Sequence, residues 1–297
     1  MKLGLNLSFA TKRWMRPEIL ALMIKNNFNI KYIQFTWDLI DPWWPAEQRD
    51  ALAKQWSKAF KKEGLIITGT FGGLASYTYA QLLAPTHEQR KISFEFFKRG
   101  IDLTAAIGAD TVGSPIGGMS HEDAVDEKKR VELYAIALDY IRQLAAYAKL
   151  KGLKKILIEP TPLITEFPHS PDTSVKLMKD LEGKTDVPVR LLIDWGHALL
   201  KPLLKDEADM VLWLKKCYPY VDAIHIQQTD GVLDRHWDFT SDGIVTPDLI
   251  KKVTKECGAD DLIQYVEVIY PFEATDEHVF SNIKKTMDIL NNSIREK

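Results

Sequence analysis

The sequence predicts an α/β fold of the (β/α)8 barrel class, in a single domain over residues 1–297. Short runs rich in Val, Ile and Leu alternate with longer amphipathic segments, as in consecutive βαβ units. This alternation repeats about eight times, and a length of 297 residues is ordinary for one such barrel. No segment is left over for a second domain.

Each element of the barrel is predicted from its own pattern. The predicted strands lie near residues 3–8, 31–36, 65–71, 110–113, 154–159, 190–194, 222–227 and 263–268. The predicted helices lie near residues 17–28, 46–63, 86–107, 128–152, 171–182, 206–217, 246–257 and 275–294. Proline opens three helices, where a missing N–H costs little, and glycine follows four, where a left-handed residue often ends the helix. These residues are Pro17, Pro171, Pro247, Gly64, Gly108, Gly152 and Gly258.

Composition and charge restrict the possible partners and location. A net charge of −2 and 45% hydrophobic residues are typical of a globular protein without a surface for nucleic acid or anionic membrane. The apolar run at the N-terminus is too short for a signal peptide, and no stretch approaches the ~18 apolar residues of a membrane span. Cys217 and Cys257 fit reduced thiols better than a disulfide. We therefore expect a cytoplasmic protein with no membrane or nucleic-acid partner.

Polar residues end four consecutive predicted strands. Strand five, KKILIEP, ends in Glu159, and strand six, VRLLIDWGH, ends in Asp194. Strand seven, VDAIHIQQTD, carries His225, and strand eight, IQYVEVIYPFE, offers Glu267. Active sites of such barrels lie at the carboxyl ends of the strands, so we expect these four side chains to meet at one rim.

Three converging carboxylates without a Lys or Arg beside them at the strand ends would repel one another, and a divalent cation would remove that repulsion. Oxygen ligands with one imidazole suit Mn²⁺, Mg²⁺, Co²⁺ or a catalytic Zn²⁺. A metal that chelates a carbonyl and its neighbouring hydroxyl favours an enediolate. Glu159 and Glu267 can then remove and return a proton on opposite faces. The sequence thus predicts epimerisation or isomerisation of a small ketose.

The motifs LIEP, DWGH and HIQQTD, with the Glu of strand eight, resemble the xylose-isomerase-like superfamily of sugar isomerases and epimerases, which are TIM barrels. The segments GTFGGLASYTYAQLLAP, HIQQTDGVLDRHWDFT and EVIYPFE are most similar to erythrulose-phosphate epimerases and 3-oxo-isoapionate decarboxylases. The resemblance implies one divalent metal ion and a ketose or ketose phosphate as substrate. It also implies that Glu159, Asp194, His225 and Glu267 are metal ligands, with Glu159 and Glu267 as the proton-transfer pair. A homodimer or homotetramer is a further implication.

Further residues on the same rim are predicted to bind substrate: His197, Gln227, Arg235, His236, Trp14 and Trp195. The resemblance implies that His197 contacts substrate oxygens. The ketose 3-epimerases place an Arg about six residues after the strand-seven His, whereas Arg235 lies ten residues after His225, beside His236. An Arg–His pair can still hold a phosphate or carboxylate. Apolar rings such as Trp14 and Trp195 commonly pack against the C–H face of a sugar.

Three other functions remain open from the sequence. A metal-dependent decarboxylase of a 3-oxo sugar acid would use the same ligands. An endonuclease IV-like phosphodiesterase would share the barrel, and Asp234-Arg235-His236 mimics its Asp-x-His motif. Against it, FGG and VGSPIGG after strands three and four lack the histidines of a trinuclear site, and the net charge does not attract DNA. A non-catalytic sugar-binding protein would be expected to lose a ligand, and none is lost.

Overall fold

Eight parallel strands close into a barrel in which each strand pairs with the next and the last pairs with the first. The computed structural model describes residues 1–79 and 81–294, so Ala80 and residues 295–297 of the predicted domain lie outside the described residues. The strands are β1 (Lys2–Asn6), β2 (Tyr32–Thr36), β3 (Ile66–Phe71), β4 (Thr111–Ser114), β5 (Lys155–Ile158), β6 (Val189–Asp194), β7 (Val221–Ile226) and β8 (Ile263–Val266). The predicted fold class is confirmed.

Twelve α-helices accompany these strands in the described part of the chain. They are α1 (Pro17–Asn27), α2 (Ala46–Lys62), α3 (Leu74–Tyr79), α4 (His87–Ile107), α5 (His121–Val125), α6 (Glu127–Leu150), α7 (Pro171–Leu181), α8 (Trp195–Ala198), α9 (Lys201–Leu204), α10 (Met210–Cys217), α11 (Pro247–Glu256) and α12 (Asp276–Ile294). Eight of them match the predicted helices. The other four, α3, α5, α8 and α9, are not among the predicted helices and are short helices in the loops that follow strands.

Local chemistry sets most helix ends where the sequence predicts them. The three predicted prolines are the first residues of α1, α7 and α11, and the four predicted glycines all have positive φ. Helix α10 begins four residues later than predicted, because Asp209 caps it by accepting hydrogen bonds from the backbone N–H groups of Val211 and Leu212. Strand β1 ends at Asn6, since residues 7–10 form a 3₁₀ turn instead.

A layer of side chains inside the barrel supports the carboxyl ends of the strands. This layer contains Phe71, Leu157, Leu192, Ala223 and Tyr265. Successive side chains of a strand alternate between its two faces, so residues two apart share a face. Four members of the layer therefore stand directly below candidate residues of the site: Leu157 below Glu159, Leu192 below Asp194, Ala223 below His225 and Tyr265 below Glu267.

The larger hydrophobic core lies between the outer faces of the strands and the surrounding helices. Within residues 1–79 and 81–294, no helix has both the length and the apolar character needed to cross a bilayer.

Candidate active site

The barrel brings the four predicted ligand residues to one point at its carboxyl end. One ligand atom from each of Glu159, Asp194, His225 and Glu267 lies within 4.8 Å of the others. All four residues are buried, with exposed fractions of 6%, 1%, 0% and 6%. A cavity of about 570 Å³ opens above them, and Glu159 and Glu267 line it.

His225 lies between the two glutamates. Its Nδ1 atom is 3.0 Å from Oε1 of Glu159 and 2.8 Å from Oε2 of Glu267. The ring of Phe71 packs edge-on against the imidazole, with ring centroids 4.8 Å apart. The imidazole therefore presents Nδ1 to the carboxylates with little freedom to rotate.

Two buried amides that the sequence analysis missed complete this arrangement. Asn6 donates from Nδ2 to Oε1 of Glu267 at 2.9 Å and to Oε1 of Gln34 at 2.6 Å. The same Gln34 oxygen lies 2.7 Å from Nε2 of His225. Asn6 and Gln34 are 1% and 2% exposed. The signal available in the sequence was an amide side chain within each of the mostly apolar strands β1 and β2.

Only one of the two carboxylate oxygens of Asp194 accepts hydrogen bonds within the described residues. Its Oδ1 atom accepts hydrogen bonds from the backbone N–H of His197 at 2.9 Å and from Nε2 of Gln227 at 2.8 Å. Its Oδ2 atom is buried and has no hydrogen-bond partner in the described part of the chain. A buried carboxylate oxygen without a partner is costly, and a bound cation would supply the missing partner. The four side chains therefore fit a divalent ion.

The electrostatics of the site agree with a missing positive charge. Burial raises the pKa of Glu159 and of Asp194 above their ordinary values. Burial alone would lower the pKa of His225, but Glu267 and Glu159 outweigh it and raise that pKa to about 10. A dication held among these carboxylates would lower the free energy of their ionised forms.

A second group of ligand-type side chains lies beside the first. His197, Asp234 and His236 also place one ligand atom each within 4.8 Å of one another. Both histidines hold their Nε2 atoms 3.1 Å from Oδ2 of Asp234. Gln227 donates from Nε2 to Oδ1, the other oxygen of Asp234, at 2.9 Å. Asp234 is therefore satisfied by protein donors on both oxygens, unlike Asp194.

Gln227 is buried beneath the site and does not face the cavity. Its exposed fraction is 0%, and its amide is committed to Asp194, Asp234 and the backbone N–H of His236. A Cβ atom on Gly196 would lie 2.4 Å from that amide, which explains the glycine of the DWGH motif. Gln227 therefore contacts the site residues themselves in this structure, and its contact with substrate stays a prediction.

Arg235 lines the cavity, as predicted, but already has an anionic partner. Its guanidinium donates to Oδ2 of Asp230 from Nε at 3.0 Å and from Nη2 at 2.7 Å. It also stacks over the ring of Trp237 at 4.9 Å. This pairing neutralises much of the charge that a phosphate would need.

The two predicted tryptophans do not form the described cavity wall. Trp195 is 1% exposed and belongs to the hydrophobic core, and Trp14 is half-buried against Phe9, with ring centroids 5.8 Å apart. The aromatic wall comes instead from the end of β3 and from the segments that follow β3, β7 and β8. It contains Phe71, Tyr77, Trp237, Tyr270 and Phe272.

Tyr77 reaches this wall from the short helix α3. Its hydroxyl donates to Oε1 of Glu166 at 2.8 Å, and Thr161 donates to the other oxygen of that buried carboxylate. Burial and the Glu166 charge raise the pKa of Tyr77 above its ordinary value. Because the hydroxyl proton is donated to Glu166, the phenol oxygen can only accept a hydrogen bond from a molecule in the cavity.

Comparisons with known proteins find relatives that include sugar epimerases. A curated relative, D-erythrulose 1-phosphate 3-epimerase of Brucella abortus (strain 2308), is 25% identical over 270 residues, which are 88% of this chain and 86% of the relative. A solved structure from Rhodospirillum rubrum ATCC 11170, provisionally assigned as a xylose isomerase, is 49% identical with a TM-score of 0.97. The match covers 98% of this chain and 99% of that one.

D-psicose 3-epimerase from Clostridium cellulolyticum H10, solved with D-tagatose, shares the fold with a TM-score of 0.72 at 12% identity, over 99% of both chains. The family model for the xylose isomerase-like TIM barrel matches residues 26–288. Given this match over most of the sequence, the chain belongs to the xylose isomerase-like TIM barrel family.

Proposed function

We propose that this protein is a divalent-metal-dependent epimerase or isomerase of a short ketose or ketose phosphate, acting through a cis-enediolate. The observation that carries the proposal is the convergence of Glu159, Asp194, His225 and Glu267 at the base of a cavity, with an Asp194 oxygen that has no partner among the described residues. The names of the curated relative and of the psicose epimerase support the reaction class.

Under this proposal the four side chains would hold the ion. When bound, a divalent cation acts as a Lewis acid on a ketose carbonyl and favours loss of the proton from the neighbouring carbon. Glu159 and Glu267 enter the cavity from β5 and β8, on either side of His225. One glutamate removes the proton from one face of the substrate and the other returns a proton to the opposite face.

The substrate is proposed to be a sugar because the cavity wall combines aromatic rings with hydrogen-bond acceptors. Phe71 and Trp237 offer flat apolar surfaces, whereas Tyr77 offers a phenol oxygen. Ketoses present both C–H faces and hydroxyl donors, so they match this combination. D-Erythrulose 1-phosphate is the first probe because of the curated relative.

Deuterium exchange from solvent tests the proposal. The protein is incubated in D₂O with Mg²⁺ and, separately, with EDTA, together with D-erythrulose 1-phosphate, D-erythrulose, D-fructose or D-tagatose. We expect NMR to show deuterium entering one carbon next to the carbonyl, only with the metal. Absence of exchange with every ketose would contradict the proposal, and CO₂ release from a 3-oxo sugar acid would then be measured.

A further inference from the structure

The orientation of the His225 ring can be traced to a chain of hydrogen bonds that begins at the backbone of the first loop. Oδ1 of Asn6 accepts from the backbone N–H of Ser8 at 2.9 Å and from its hydroxyl at 2.6 Å. A backbone N–H can only donate, so this contact fixes which end of the Asn6 amide is oxygen. The other end is therefore the NH₂ group, which donates to Oε1 of Glu267 at 2.9 Å.

The same NH₂ group determines the orientation of Gln34. Asn6 donates its second N–H toward Gln34 at 2.6 Å, so the Gln34 atom at this position must be the carbonyl oxygen. That oxygen also lies 2.7 Å from Nε2 of His225. Because the oxygen can only accept, Nε2 of His225 must carry a proton.

We infer that Asn6 and Gln34 are positioning residues that hold His225 with its proton on Nε2 and the lone pair of Nδ1 directed at the metal site. The inference rests on the metal centre proposed above. Of the two ring nitrogens of His225, Nδ1 lies 3.0 Å and 2.8 Å from the two glutamates and therefore faces the metal site. Partners that orient a histidine ligand typically change metal affinity by about 10- to 100-fold.

The geometry also links the ligand residues His225 and Glu267 through two hydrogen-bonded amides, Asn6 and Gln34. Asn6 bonds Oε1 of Glu267, which leaves Oε2 on the side of His225, and the Gln34 oxygen holds the opposite side of the imidazole. All four side chains are buried, so water does not compete for these bonds. The pair Asn6 and Gln34 therefore orients both ligands at once.

Co²⁺ titration of purified full-length variants tests the inference. Gln34→Met keeps the size of the side chain and removes the acceptor, so we expect Co²⁺ affinity, read from visible absorption, to fall about 10- to 100-fold. Gln34→Glu keeps an acceptor toward Nε2 and should bind Co²⁺ within a few-fold of the parent protein. Gln264→Met is the matched control, because Gln264 is also buried in a strand but bonds Thr254 instead.

Two further measurements keep the test decisive if Gln34→Met does not fold. Asn6→Asp has the same shape but cannot donate to Gln34, and it should lose Co²⁺ affinity to a similar extent. In the ¹⁵N-labelled, Zn²⁺-loaded parent protein, NMR should show the His225 proton on Nε2. A proton on Nδ1 would overturn the inference.

The outcomes separate this inference from the proposed function. If the parent protein binds no Co²⁺, the metal centre and the proposed function both fail. If it binds Co²⁺ but Gln34→Met binds equally well, only the positioning role is overturned. The same holds if Gln34→Glu weakens binding as much as Gln34→Met, because the acceptor would then not be the cause.

Discussion

Glu267 has two roles in the proposed chemistry, since its carboxylate would bind the ion and would also transfer the proton. Each oxygen of Glu267 contacts a different neighbour. Oε1 accepts a hydrogen bond from Asn6, and Oε2 lies 2.8 Å from Nδ1 of His225. A glutamine at this position would keep the size of the side chain but could not act as a base.

We therefore expect Glu267→Gln to lower deuterium exchange by at least about 100-fold, the usual contribution of a general base. Thermal unfolding should change little. Glu273→Gln, at an exposed position of the same cavity, is the control and should retain exchange. An active Glu267→Gln protein would contradict the acid–base assignment.

Asp222 forms ion pairs at the end of the barrel opposite the candidate site. It lies in β7 and pairs with Lys155 of β5 and with Nε of Arg190 of β6, the latter at 3.0 Å. Burial acts to raise the pKa of Asp222, but the hydrogen bonds and charges of Lys155 and Arg190 outweigh burial and hold it below its ordinary value. This triad ties three neighbouring strands together.

Because the folded-state pKa of Asp222 is depressed, the triad stabilises the fold above the unfolded-state pKa of about 4. That stabilisation is lost as the pH falls through the folded pKa. Asp222→Asn should lower the free energy of unfolding by about 1–3 kcal/mol at pH 7. Urea unfolding at several pH values should show this difference shrinking below about pH 4. A difference independent of pH would contradict the assignment.

At the level of elements, the short helix α3 matters because it carries Tyr77 over the cavity. The Tyr77–Glu166 hydrogen bond connects the segment after β3 to the segment after β5 across the rim. The segment after β4 joins them, since the backbone N–H of Met119 donates to the carbonyl of Thr165 at 2.7 Å. Three loops thus form one continuous wall.

Tyr77→Phe should raise the KM for the exchanging ketose about 2- to 10-fold, as expected for one lost hydrogen bond, with kcat within about twofold. Steady-state exchange rates at varied ketose concentration measure both constants. Tyr134→Phe is a matched control, because Tyr134 also donates to a carboxylate, Asp180, but does not line the described cavity. Equal effects of the two substitutions would contradict a substrate contact for Tyr77.

The sequence predicts the elements that repeat and misses those that do not. Apolar strands and amphipathic helices leave a periodic pattern, so all eight strands and the eight longer helices were predicted within a few residues of their ends. Helices α8 and α9 have four residues each, too few to show a helical period. The start of α10 was misplaced because Asp209, and not an earlier residue, caps it.

For the site, the sequence could predict the meeting of four strand ends but not the contacts between distant residues. Residues at the ends of consecutive strands must converge in a barrel, which is a matter of topology. The contact of Asn6 with Gln34 and the burial of Gln227 and Trp195 depend on packing between strands far apart in sequence. Such packing leaves no local pattern.

The whole barrel places two groups of ligand-type side chains side by side. The first contains Glu159, Asp194, His225 and Glu267, and the second contains His197, Asp234 and His236. In the first group an Asp194 oxygen has no described partner, whereas Asp234 in the second is satisfied by Gln227 and two histidines. We therefore propose that the ion binds to the first group.

The most direct test of this assignment is an anomalous difference map from crystals of the full-length protein grown with Mn²⁺. We expect an anomalous peak for manganese between Glu159, Asp194, His225 and Glu267, and we expect this peak to be absent from crystals of Asp194→Asn. A map with no peak there, or with manganese only between His197, Asp234 and His236, would contradict the account.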